Sequence, residues 1–363
     1  FLRLREQTAA WSAGFALLAV LIAMSALVVA SGAMATREAA VVAAKPKWSS
    51  RLSWIALAAI PSGLVVAVTA HISTDVAAAP FLWILPLALY LLTFVAVFNE
   101  RPWLSHSTVV MLVPFVVAPL AISMMGGERA YWLMTISLHL IGFFVLTLLC
   151  HGELYRKRPA PEQLTDFYLA TSIGGVVGGV FTGLIAPNVF SITLEYPILV
   201  ALAVLVLPGA LAGGVKQTLR AMAVPLAFAA LVYLLHIATD FQISYAWKIV
   251  FQAGLMLIAA FLILQRRNPA SMFGFVVLAF VFSANWQPGQ KSFDTSRSFF
   301  GVHRVVNSSD GQYRLLFHGT TIHGVERIRN ADGTPVTGRA EPLVYYYRGG
   351  PISESILVTR ETL

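Results

Sequence analysis

The sequence predicts a mainly α-helical fold, a polytopic membrane helix bundle of about ten spans followed by a small antiparallel β domain. Three observations carry that expectation. Hydrophobic residues make up 58% of the 363 and charged residues only 12%, against roughly 25% charged in soluble globular proteins. Apolar runs of about 17 to 23 residues without charge recur, the length a helix needs to cross hydrocarbon. Beyond Trp286 the pattern changes, and nine of the 25 basic residues fall in Lys291–Leu363. Cys150 is the single cysteine, which excludes a disulfide scaffold. The surplus of Lys and Arg, 25 against 17 acids, is explained by loop charge in a membrane protein and gives no cause to invoke nucleic acid.

In chain order the expected spans are Trp11–Ala33, Leu52–Ala70, Ala77–Phe98, Thr108–Met125, Tyr131–Cys150, Phe167–Pro187, Tyr196–Ala212, Ala221–Ile237, Ile249–Leu264 and Pro269–Trp286. Pro61, Pro86, Pro114 and Pro119 lie inside them, and membrane helices tolerate proline when neighbours re-satisfy the freed carbonyls. The loops provide a separate check. One alternating set holds Arg37, Lys45, Lys47, Arg51, Arg101, Arg156, Lys157, Arg158, Lys216, Arg220, Arg266 and Arg267, whereas the other holds only Arg129 and Lys248. The positive-inside rule makes the first set cytoplasmic. Phe1 opens the chain in place of Met and Phe1–Gln7 reads as a loop, so an internal piece of a longer protein is expected.

Residues 1–286 therefore form the membrane domain and 287–363 the β domain. In the latter, Arg297–Val306 and Gln312–His318 read as strands joined by the turn Asn307-Ser-Ser-Asp-Gly311. Thr320–Ile328 is a third strand, Asn330-Ala-Asp-Gly333 a turn, Leu343–Tyr347 a fourth strand, and a helix starts at Ile352.

Several motifs invite chemistry. Gly175, Gly179 and Gly183 recur every four residues on one helix face, which allows close helix packing. No strand precedes them, so a phosphate loop is the poorer reading. Cys150-His151-Gly152-Glu153 has metal-binding residue types but no second ligand cluster nearby, and an ion-pair network of Glu153 with Arg156 and Lys157 is expected. Ser73, Thr74 and Asp75 read as caps for the following helix, with a cation or amine site as the alternative. His139 and His236 are ionisable residues inside spans. His318 and His323 are five apart, which on a strand sets them on opposite faces. The run Tyr345-Tyr346-Tyr347 is a half-buried strand or a set of aromatic faces for an ammonium group.

Taken together, several stretches resemble the membrane-bound, spermidine-synthase-like proteins of bacteria, in which a multi-span membrane region is fused to a polyamine aminopropyltransferase-like domain. They are the segment from His71-Ile-Ser-Thr-Asp75 through Phe94, Cys150-His-Gly-Glu-Leu-Tyr-Arg-Lys-Arg-Pro159, Ser298-Phe-Phe-Gly-Val-His-Arg-Val-Val306, His318-Gly-Thr-Thr-Ile-His-Gly324 and Tyr345-Tyr-Tyr-Arg-Gly-Gly-Pro351. The resemblance implies that the β domain corresponds to the small N-terminal domain of a spermidine synthase. That domain precedes a Rossmann-like domain which binds decarboxylated S-adenosylmethionine and carries the acidic catalytic residue. No glycine-rich nucleotide loop occurs up to Leu363. This chain is thus expected to be the membrane part of a transferase-like fusion, itself inactive, with no catalytic, cofactor or metal residue of its own. By resemblance His323, Tyr346 and Tyr347 contact substrate, and the implied partners are the lipid bilayer and a polyamine or other small cation. The implied location is the bacterial inner membrane, with the side of the β domain left open. The competing reading is a polytopic transporter or sensor with a ligand-binding β appendage.

Overall fold

The structure, a computed structural model, describes residues 3–35, 45–76, 82–99, 101–125, 132–210, 268–285, 292–298 and 301–361 (without 309, 320 and 340), with scattered positions between 212 and 264. It falls into two compact units, Phe1–Lys45 and Pro46–Leu363. The first is one helix, α1 (Leu4–Ala35). Its Trp11, Phe15, Leu18 and Ile22 are all exposed, the state expected of side chains that face lipid. The Glu6 carboxylate accepts from the Arg3 backbone N–H at 2.8 Å and so caps the first turn.

The second unit begins with α2 (Trp48–His71), continued by a π-turn at Ile72–Val76. Then come α3 (Ile84–Val97), α4 (His106–Met125) and α5 (Trp132–Arg156). Next are α6 (Leu164–Val180), which runs through a π-turn at Phe181–Ile185 into the single-turn α7 (Ala186–Val189), then α8 (Glu195–Val204) and α9 (Pro269–Asn285). Helix α2 is the hub, packed against α3, α5, α6 and α8, while α4 meets α5 and α9. Leu64, Val68, Phe143, Leu146, Leu149 and Val200 form the centre of the main core. Trp54, Leu57, Leu154 and Phe167 form a second cluster toward the start of α2.

Among the described residues five helices are long and apolar enough to cross a membrane: Arg5–Val29, Trp48–Thr74, His106–Met124, Leu133–Arg156 and Pro161–Val189. The expectation of about ten spans is thereby corrected. Hydropathy does not register where a helix stops. The 14 residues of α3 rise about 21 Å and the 10 of α8 about 15 Å, so neither covers the roughly 30 Å of hydrocarbon by its helical residues alone. Helix α8 ends where Pro208 and Gly209 follow, the latter at φ +82°. The expected spans Ala221–Ile237 and Ile249–Leu264 lie largely outside the described residues, as does His236.

The glycine register is also corrected. The face of α6 against α2 is Gly174 and Gly178, whereas among the described residues Gly175, Gly179 and Gly183 have nothing within 4 Å of where a Cβ would stand. A Cβ on Gly178 would collide with the Ala59 carbonyl oxygen, and one on Gly174 with that of Ile55. Spacing by four holds for both sets, so only the packing distinguishes them. Ser62 Oγ donates to the Gly175 carbonyl at 2.8 Å and Thr182 Oγ1 to that of Gly63 at 3.3 Å, across the same seam.

The β unit is a five-stranded antiparallel meander, ordered β1 (Ser292–Ser298), β2 (Gly301–Asn307), β3 (Tyr313–His318), β4 (Thr321–Arg327) and β5 (Pro342–Leu343). The run expected as one strand over 297–306 is two, with Gly301 at φ +138° opening the second. Tyr345–Tyr347 is not a strand. The chain leaves β5 through a 3-10 turn, Val344–Tyr346, in which Val344 takes φ +63°, a strained conformation for a β-branched residue. Helix α10 (Pro351–Glu361) follows.

Two turns hold their acids as hydrogen-bond acceptors. Ser308 Oγ and the Gln312 N–H donate to Asp310, and Thr334 donates through both Oγ1 (2.6 Å) and N–H (3.0 Å) to Asp332. These bonds hold both carboxyls below the ordinary carboxylate range, the hydroxyl first and the backbone N–H second. The support they give the turns is therefore complete above that range and is lost as pH falls through the lowered values. Carboxyl carbon NMR titration should place both midpoints below those of free aspartate, and Asp332→Asn should remove the acid-dependent loosening of amides 330–334. At the α2–α6 seam, Gly178→Ala should cost about 1–3 kcal/mol through overpacking. Gly179→Ala should stay within about 1 kcal/mol of the parent, both measured by unfolding in mixed micelles.

Candidate functional site

Two polar networks interrupt the apolar helices, and each is built from residues distant in sequence. Near the end of α2 the His71 ring faces that of His139 on α5 at 4.5 Å, and both lie beside Tyr196 in the first turn of α8 (5.4 and 5.6 Å). His139 is 1% exposed and Tyr196 3%. Donor and acceptor accounting fixes the proton positions. Ser123 Oγ gives its one proton to the Leu120 carbonyl at 2.8 Å, so it accepts from His139 Nε2–H at 3.2 Å. The other nitrogen, Nδ1, then accepts from the Tyr196 hydroxyl at 2.9 Å. His139 is a neutral imidazole with both nitrogens engaged.

The second network lies three turns further along α5. Thr93 Oγ1 donates to the Tyr90 carbonyl at 2.6 Å and so accepts from His151 Nδ1–H at 2.8 Å. Phe94 stacks on the imidazole with ring centres 3.9 Å apart. His151 Nε2 is therefore a bare lone pair, buried without a partner among the described residues, as is the hydroxyl of Thr147 one turn back. Cys150 is fully buried beside them. At the helix end Glu153 pairs with Arg156 at 3.1 Å as expected, and with His106 of α4 at 2.8 Å. Lys157 instead donates to Ser53 Oγ at 2.9 Å. Among the described residues no group of three or more His, Cys, Asp or Glu could hold a metal ion.

Ser73 and Thr74 are not helix N-caps. Helix α2 continues through His71, and their hydroxyls bond back to the carbonyls of Thr69 (2.7 Å) and Ala70 (2.8 Å).

The sheet joins the helices next to the first network. Arg297 on β1 forms a two-pronged ion pair with Glu195 (2.6 and 3.0 Å) and donates to the Ile192 carbonyl at 2.6 Å. The side chains are 6% and 4% exposed, and the next residue is the Tyr196 that holds His139. No composition or spacing signal marked this pair, because Glu195 reads as an ordinary helix-start acid and Arg297 as one of nine dispersed cations.

The residues assigned by resemblance are on the sheet. His323 occupies a bulge in β4, where Leu316 pairs with Gly324 and Phe317 with Ile322. Its ring lies 5.5 Å from that of His318, which itself stacks on His303 at 4.6 Å. The expectation of opposite faces fails because it treats the two as one strand, whereas His318 ends β3 and His323 lies on β4, its antiparallel neighbour. Tyr346 and Tyr347 are half exposed in and just after the 3-10 turn, which packs against β4. No family model, curated protein or solved structure matches the chain.

Glu195→Gln should leave Arg297 buried and unpaired and destabilise the sheet's attachment by about 3–5 kcal/mol. The double replacement Glu195→Leu/Arg297→Met should recover most of that loss, read as protease susceptibility of residues 292–361 and thermal unfolding in detergent.

Proposed function

We propose that this chain is the membrane part of a spermidine-synthase-like fusion protein of the bacterial inner membrane, and that its role is to seat a small ligand-facing sheet at the membrane surface. The observation that carries the reading is the Arg297–Glu195 ion pair, which fastens β1 to the start of α8 in a buried position. A sheet merely trailing from a helix would need no such fastening. The meander β1–β5 and the turn after it present exposed His323, Tyr346 and Tyr347, a combination of imidazole and phenol suited to a small cationic amine. The transfer chemistry itself, with decarboxylated S-adenosylmethionine as donor, is assigned to residues other than these. A second reading, a transporter or sensor with a ligand-binding sheet, draws on the adjacency of the His71–His139–Tyr196 network to that fastening.

Calorimetric titration of the chain in nanodiscs with putrescine and spermidine tests the first reading. Binding is expected, weakened about two- to fivefold in Tyr346→Ala or Tyr347→Ala by loss of an exposed cation–π contact. Absence of binding to either amine would sink it. Substrate-dependent flux in proteoliposomes, lost in His139→Phe, would favour the second.

A further inference from the structure

The helices of residues 46–285 have two chemically different ends, and the side-chain bonds show which elements meet at each. At one end Arg51 in the first turn of α2 pairs with Asp166 in the first turn of α6 at 2.8 Å. Trp54 Nε1 donates to the Lys157 carbonyl just past α5 at 3.0 Å, and His106 at the start of α4 meets Glu153 of α5. The starts of α2, α4 and α6 and the finish of α5 are thus together. Lys47, Arg51, Arg101, Arg156, Lys157 and Arg158 belong to this end or the segments that lead into it.

At the other end the finish of α2 (His71), the finish of α4 (Ser123), the early turns of α5 (His139) and the start of α8 (Tyr196) converge. Arg297 of the sheet is bound there, to Glu195 and Ile192. The connecting segments 72–83 and 187–194 contain no Lys or Arg, and 126–131 contains only Arg129. Helix α2 measures the separation. Arg51 and His71 are 20 residues apart on one helix, a rise of about 30 Å, which equals the hydrocarbon thickness of a bilayer at roughly 30 Å.

We propose that the sheet is extracytoplasmic: the basic end faces the cytoplasm by the positive-inside rule, and the fastening of the sheet lies one bilayer thickness away from it. The ligand of His323, Tyr346 and Tyr347 is then a small molecule supplied from outside the cytoplasm. The His71–His139–Tyr196 network lies at that outer end, beneath the sheet. This inference does not rest on the amine-binding reading. It requires only the helix geometry and the distribution of basic residues.

The test is thiol labelling of the full-length protein in spheroplasts with a membrane-impermeant maleimide, in a Cys150→Ala background. Arg339→Cys reports an exposed loop of the β unit and Ala160→Cys the exposed connection between α5 and α6. Asp310→Cys is a second sheet reporter should Arg339→Cys fail to accumulate. The expected result is full labelling of the sheet reporter before lysis, with Ala160→Cys silent until lysis. The reverse pattern overturns the assignment of sides. Reporters that behave alike, both labelled or both protected before lysis, overturn the separation of the two ends by a membrane. Amine binding plays no part in the readout, so this proposal and the functional reading fail separately.

Discussion

The backbone contact between α2 and α6 is the constraint on which the arrangement of the helices depends. Side chains gain nothing by leaving lipid for another apolar surface, so membrane helices associate through close packing and the few hydrogen bonds they share. Gly174 and Gly178 let α6 approach the Ile55 and Ala59 carbonyls of α2 more closely than any Cβ would permit. Ser62 and Thr182 then find carbonyl acceptors across the seam. With α2 fixed in this way, the same helix meets α3, α5 and α8 on its other sides. It becomes the axis from which the positions of both polar networks follow.

Hydrocarbon also governs where those networks can be. A buried polar atom without a partner costs about 1–3 kcal/mol, and in lipid no water is at hand to relieve it. His139 meets this by full engagement, one nitrogen donating and one accepting. His151 meets it only half-way, with Nδ1 bound to Thr93 and Nε2 bare. The two residues are 12 apart on α5, about 18 Å along the axis. The better satisfied network is thus beside the sheet and the less satisfied one toward the basic end. Tertiary partners, not helix propensity, decide the difference.

Much of this architecture was legible in the sequence because hydropathy and charge act locally. The long spans, the basic set of loops, the turn at 307–311 and the change of character after Trp286 are properties of contiguous residues. What escaped was relational. Glycines spaced by four specify a face but not which of two neighbouring faces a partner occupies, so Gly174 and Gly178 were overlooked for Gly175, Gly179 and Gly183. Ser73 and Thr74 have the composition of caps, yet their hydroxyls close on carbonyls four residues back because the helix continues beneath them. Alternation along a single strand set His318 and His323 on opposite faces, but they lie on the paired strands β3 and β4. Helix length is set by where Pro208 and Gly209 fall as much as by hydropathy, which is why counting apolar runs overstated the spans.

The fastening of the sheet shows why the most informative contact was also the least visible. A buried ion pair contributes little net stability, since taking both charges out of water offsets most of their attraction, and an apolar pair of the same shape holds about as well. Its value is in selectivity. Only one register of β1 on α8 satisfies Arg297 with the Glu195 carboxylate and the Ile192 carbonyl together, whereas an apolar contact would accept several. Because Tyr196 follows Glu195 in the same helical turn, that register also sets the hydroxyl that His139 accepts from. The orientation of the sheet and the geometry of the histidine network are therefore one constraint expressed at two adjacent residues. A change that rotates the first turn of α8 would disturb both together.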